Sequence, residues 1–224
     1  LTSATFPGVT ELGVNAFAYT ALAAVTIPAG LTNIAQGAFA GCTNLAAVTY
    51  SGSPSAVGSG AFKSCAALTS LPVAASVTAI ASTAFDGCSG LTSVTLPAGV
   101  RDLSDNLFEN CPSLLAVNAG AATHVGETAF ANCAGLTNVT FTGNAPVADE
   151  AAFEGSEGVF VYYYKGTTGW KNLLSFRPTV MLGAGGAVEA LSFAAWAVQN
   201  GLTTAGNLGD AALAERFSRE AALA

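Results

Sequence analysis

One dipeptide recurs along this chain at an almost constant interval. It appears as Ala16-Phe17, Ala38-Phe39, Ala61-Phe62, Ala84-Phe85, Ala129-Phe130 and Ala152-Phe153, with Leu107-Phe108 in the remaining slot. Successive Phe residues are 22, 23, 23, 23, 22 and 23 apart. All five cysteines (Cys42, Cys65, Cys88, Cys111 and Cys133) follow a repeat Phe by three residues. A unit this short cannot bury an apolar face alone, so the units must stack as the turns of a solenoid.

Aligned on Phe, the units read Cys-x-x-Leu-x-x-Val-x-Leu-Pro-x-x-Val-x-x-Ile-x-x-x-Ala-Phe. The Leu column holds Leu45, Leu68, Leu91, Leu114 and Leu136, and the next column Val48, Leu71, Val94, Val117 and Val139. A later one holds Ile34, Val57, Ile80, Leu103 and Val125. In Val-x-Leu two apolar residues flank a polar one, the period of a short strand with one buried face. Proline cannot donate to a ladder, so Pro28 and Pro97 end their strands. One strand per turn then stacks into a parallel sheet on one side, with the Phe and Cys columns inside. About seven turns of 22–23 residues are expected.

The array accounts for residues 1–158. Its first residues, Leu1 to Pro7, align with Leu91 to Pro97, so the chain is expected to be a piece of a longer protein, and absent targeting signals carry no weight. After Phe153 the pattern changes: Ser156 takes the Cys column, and Gly158 to Tyr164 reads as a more aromatic strand. Residues 159–182, including the Lys165-Gly166-Thr167-Thr168-Gly169-Trp170 turn, are expected to cap the open apolar end. Residues 183–224 read as a Gly-rich joint followed by the start of a helical module or linker. Ala187 to Gln199 carries apolar residues at helical spacing, Gly201 is a C-terminal stop, and a second helix starts near Asp210.

Composition removes several functions. Half the residues are hydrophobic and 9% are charged, but the most apolar window, Leu68 to Phe85, is broken by Pro72 and follows the repeat, so membrane insertion is not expected. The net charge is −7, and Lys63 and Arg101 are the sole basic residues before position 160. Nothing here forms the basic stripe that a nucleic-acid backbone needs.

The repeat unit resembles the BspA-like leucine-rich repeats of bacterial surface proteins, most fully over Cys42 to Phe62, Cys65 to Phe85 and Cys88 to Phe108. The Tyr164 to Trp170 segment also looks like one that closes such arrays. The resemblance covers residues 1 to about 180 and implies a leucine-rich-repeat solenoid, secretion or surface display and, in some members, adhesion. It transfers no binding residue, because the shared columns are core.

Five cysteines invite a metal or disulfide reading. No Cys-x-x-Cys pair exists for zinc. Turn spacing falls within the reach of a disulfide, but in-register side chains point the same way, so each Cys reads as a small buried hydrophobe. His124, the sole histidine, falls in a variable, solvent-facing column with no nucleophile motif beside it. Asp102, Asp105 and Glu109, and Asp149, Glu150, Glu154 and Glu157, lack the Asp-x-Asp spacing of calcium loops and read as solvated turn charges. No enzyme activity, metal or cofactor is therefore expected. What remains is the outward strand face, read as Ala24/Thr26, Ala47/Thr49, Ser70/Pro72, Ser93/Thr95, Ala116/Asn118 and Asn138/Thr140. Thr49, Ser70, Ser93, Thr95, Asn118, Asn138 and Thr140 are the candidate binding residues, with an extracellular protein or glycan as partner. A structural spacer that displays other modules is the alternative.

Overall fold

Ala24-Val25-Thr26-Ile27 shows how a turn begins: Val25 and Ile27 are buried while Thr26 between them is half-buried. That alternation is repeated along the chain, and the resulting strands pair in parallel because each is one full turn from the next. The structure, a computed structural model, describes residues 2–171 and 173–183. The first seven strands are β1 (Ser3–Thr5), β2 (Ala24–Ile27), β3 (Asn33–Ile34), β4 (Ala47–Tyr50), β5 (Ala56–Val57), β6 (Ala79–Ile80) and β7 (Ser93–Thr95). Then follow β8 (Asp102–Leu103), β9 (Ala116–Gly120), β10 (His124–Val125), β11 (Asn138–Phe141), β12 (Val147–Ala148), β13 (Phe160–Tyr164), β14 (Leu173–Leu174) and β15 (Arg177–Leu182).

The main face carries β1, β2 and β4 as one parallel sheet and β7, β9, β11, β13 and β15 as another, with β14 antiparallel to β15. Register keeps like residues in line, as in Val94↔Val117↔Val139↔Val161. Between the two sheets lies Ser70–Val73, joined by a single parallel bridge from Ser70 to Ser93. With that row the described face has eight rows up to β13 rather than seven. The Phe count misses one because a strand row precedes Phe17 and another follows Phe153.

The expectation of one strand per turn is also corrected. A second ladder of two-residue strands runs down another side, as β3-β5-β6 and β8-β10-β12. Its inward residues Ile34, Val57, Ile80, Leu103 and Val125 are buried, and Ala148 in the last row is half-buried. A strand this short has one inward position, so it shows no alternation in sequence.

The third side is the Phe turn. From Phe17 to Phe130 each repeat Phe amide donates to the next turn, as Phe39 N to Ala61 O (2.8 Å) and Phe108 N to Ala129 O (2.8 Å). Stacked rings run unbroken from Phe6 to Phe153, with centroids 5.2 to 5.7 Å apart. The corner two residues past Phe is left-handed, occupied by Gly41, Gly87 and Gly155, and also by Asn110 and Asn132 (φ about 57°). At Gly41 an added Cβ would stand 2.4 Å from the Tyr19 ring.

Beyond the last repeat, β13 pairs with both β11 and β15. Trp170 stacks on Tyr163 at 4.7 Å and tilts against Phe141. The helices expected over 187–199 and from Asp210, and the joint from Ala184 onward, lie outside the described residues.

Candidate binding surface

The strand pleat sends Val or Leu inward and leaves its small polar neighbours outward. Ser93 aligns with Ala116 and Asn138, and Thr95 aligns with Asn118 and Thr140, over three consecutive strands. Ser70 joins them through its bridge to Ser93. Six of the seven candidate residues therefore share one continuous surface. Ser70, Ser93, Thr95 and Asn118 are exposed, and Asn138 and Thr140 half-buried. Thr49 is exposed too, but it lies on the sheet of β2 and β4, with its hydroxyl 2.9 Å from that of Thr26. The structure does not bring it together with the other six.

Pro72 departs from the sequence reading. It was expected to face outward beside Ser70, yet it is buried while Leu71 and Val73 are half-buried. Proline has no amide to give the ladder, and here the alternation of the strand inverts around it. Elsewhere Pro28 and Pro97 stand just after their strands; in this turn the proline stands inside.

This surface bears no charge from β1 to β11, and its polar groups are hydroxyls and amides. Its capacity is for many weak, neutral hydrogen bonds, with no Trp or Arg on these strands to act as an anchor.

The other candidate chemistries resolve into structural contacts. Each thiol donates to a Phe carbonyl of the preceding turn: Cys65 Sγ to Phe39 O (3.2 Å), Cys88 to Phe62 O (3.2 Å), Cys133 to Phe108 O (3.1 Å). All five are free and buried, and burial pushes the Cys88 thiol up to about 12. His124 Nδ1 lies 2.7 Å from Asp102 Oδ1 on the exposed side of the second ladder. Asp105 accepts the Glu127 amide of the next turn and Asp149 the Ala151 amide of its own loop, so both serve backbone contacts. No group of three or more His, Cys, Asp or Glu side chains among the described residues is placed to hold a metal ion. No helix among them is long and apolar enough to cross a membrane.

Sequence reasoning missed a polar ladder beside the Phe column. Lys63 Nζ pairs with Asp86 Oδ2 at 2.7 Å, Asn110 Nδ2 donates to Asp86 Oδ1 at 3.0 Å, and Asn132 Nδ2 donates to Asn110 Oδ1 at 3.2 Å. Asp86, the charged centre of this ladder, is buried. The available signal was Asn recurring where other units carry Gly.

Residues 10–137 and 120–162 match the family profile described as BspA type leucine rich repeat region, in six copies. The chain is similar to the crystal structure of a leucine-rich repeat protein of T. pallidum, at 32% identity over 57% of this chain and 72% of that one, TM-score 0.46. A leucine-rich cell surface protein from Faecalibacterium prausnitzii A2-165 matches at 21% identity over 80% of this chain and 62% of that one, TM-score 0.40. A leucine-rich repeat protein from Bacteroides ovatus ATCC 8483 matches at 19% identity over 75% and 56%, TM-score 0.38. The chain thus spans less than two thirds of the latter two. No curated protein sequence matches it.

Proposed function

Because this chain belongs to the BspA-type leucine-rich-repeat family, we propose that it is a non-enzymatic binding domain of a bacterial surface or secreted protein, holding a protein or glycan partner against its main strand face. The observation that carries this reading is the in-register patch of Ser70, Ser93, Thr95, Asn118, Asn138 and Thr140. Rows about 4.8 Å apart present hydroxyl and amide groups to a broad neutral partner. A position outside the cell also suits five thiols sealed in the core, since an oxidising compartment then leaves them unpaired.

Binding of the domain to extracellular-matrix proteins and to a glycan array tests the proposal. Thr95→Arg with Asn118→Arg places two bulky charges at the centre of the patch and is expected to weaken any binding at least about tenfold. Unchanged binding moves the site off this face. A structural spacer is the second reading, favoured by outward strand positions that carry no aromatic or Arg anchor, since the aromatics of these strands, Tyr50 and Phe141, are half-buried and buried. It stands if neither array binds and the same double variant leaves adhesion of the intact protein unchanged.

A further inference from the structure

Two of the three sides of the solenoid are interrupted on either side of one turn, the main face before it and the second ladder after it. On the main face, β4 and β7 belong to separate sheets, and Ser70–Val73 between them makes one bridge, to the C-terminal side. On the second ladder, β6 pairs back with β5, and no paired register links it forward to β8. The turn from Leu68 to Gly90 is thus attached forward through its first strand and backward through its second. Packing follows the same line. Val25, Val94, Val117 and Val139 are buried, whereas Val48 and Leu71, in the same column, are half-buried, as are Tyr50 and Val73 in the next. The Tyr50 hydroxyl reaches across the gap to the Pro72 carbonyl. Where the second ladder parts, a groove of about 510 Å³ opens, lined in part by Ala79, Ile80, Gly99, Arg101 and Asp102.

The third side does not part. Phe62, Phe85 and Phe108 stack at 5.5 and 5.6 Å. Backbone bonds continue from Ser64 N to Asp86 O (2.7 Å) and from Gly87 N to Glu109 O (2.8 Å), and the Lys63–Asp86–Asn110 ladder spans the same level.

We propose that the turn from Leu68 to Gly90 is a hinge: the stack carrying β1, β2 and β4 bends against the stack carrying β7 to β13, pivoting on the continuous Phe side. The sequence cause is Pro72, which moves a strand-ending proline into the strand. Bending along this line changes the curvature of the main face and opens or closes the groove at Ile80 and Arg101. The inference concerns the array itself and holds whether or not the face binds a partner.

Distance distributions between spin labels test it in the folded domain, where the native thiols are buried and introduced cysteines are the accessible ones. One pair, Ala47→Cys with Ser93→Cys, spans two turns across the joint; the other, Ser93→Cys with Asn138→Cys, spans two turns within one stack. The first distribution is expected to be clearly broader. Pro72→Thr, which restores the amide and the Thr column, is expected to narrow it toward the second. Equal widths for the two pairs in the unmodified Pro72 background overturn the hinge, whatever the variant does.

Discussion

At the scale of single residues, the Cys column shows what a recurring cysteine does when it does no sulfur chemistry. Phe62 O accepts the Cys65 amide of its own turn at 3.2 Å and the Cys88 thiol of the next turn at 3.2 Å, so one carbonyl ties two turns together. Oxygen can serve in place of sulfur: Ser156 Oγ donates to Phe130 O of the preceding turn at 2.7 Å, while Thr20 in the first unit turns its Oγ1 to Phe17 O of its own turn at 2.9 Å. The column therefore requires a small buried donor. Cys88→Ser is expected to stay within about 1 kcal/mol of the parent in urea denaturation, while Cys88→Ala, which leaves the second lone pair of Phe62 O unmet, costs about 1–2 kcal/mol. Equal stabilities for the two variants would remove the donor role. Alkaline pH gives an independent check. The unfolded thiol titrates near its ordinary 9.0 and the folded one near about 12. Above pH 9 the unfolded chain sheds a proton that the folded chain keeps, so stability falls as pH rises, by about 1.4 kcal/mol per unit for each such thiol. The Cys88→Ser variant is expected to show a slope shallower by that amount across pH 9.5–11.

At the scale of elements, the Phe column is the part on which every turn depends. Phe85 is fully buried and stacks on both neighbours, so Phe85→Ala is expected to cost about 3–5 kcal/mol, read as a lowered urea midpoint. Phe17, half-buried, should cost less under the same change; equal losses would mean that position in the stack is irrelevant. These core columns were legible in sequence because each repeats one residue type at a fixed interval and meets the same neighbours in every turn. The second ladder was not, since Asn33–Ile34 and Ala56–Val57 expose a single inward residue each and no period can be read from one position. The Asp86–Asn110–Asn132 ladder was hidden for another reason: Gly, Ser and Asn alternate at its left-handed corner, and side-chain identity there is set by backbone conformation rather than by burial. Of the candidate surface, alternation alone put Ser70, Ser93, Thr95 and Asn118 on the side where the structure has them exposed, with Asn138 and Thr140 half-buried beside them. Pro72 was misplaced because alternation assumes an intact ladder, and a residue without an amide cannot keep one.

At the scale of the whole molecule, a stack of turns has no contact between distant parts, so its cooperativity is only as strong as its weakest interface. Across most interfaces here three sides contribute: two ladders and the Phe column. Forward from the Leu68–Gly90 turn the ladders contribute a single bridge on the main face and, on the second, the Ser104 Oγ to Ile80 O bond at 2.8 Å. Backward they contribute the β5–β6 pairing and no paired strand on the main face, so the stacked rings and the Phe-side amides are what runs unbroken through both interfaces. The N-terminal rows are then free to open without the C-terminal ones. Native-state hydrogen exchange on a Phe39→Ala variant distinguishes this from a uniform stack. Phe39 is fully buried on the N-terminal side of the joint, between Phe17 and Phe62. Its loss is expected to speed exchange in Ala24–Ile27 and Ala47–Tyr50 by about 10² or more, since a core Phe is worth about 3–5 kcal/mol. Exchange in Ala116–Gly120 and Asn138–Phe141 should change less than about threefold. An equal loss of protection on both sides would mean that the Phe column alone transmits unfolding through the whole array, and that the two interrupted ladders carry little of the coupling between turns.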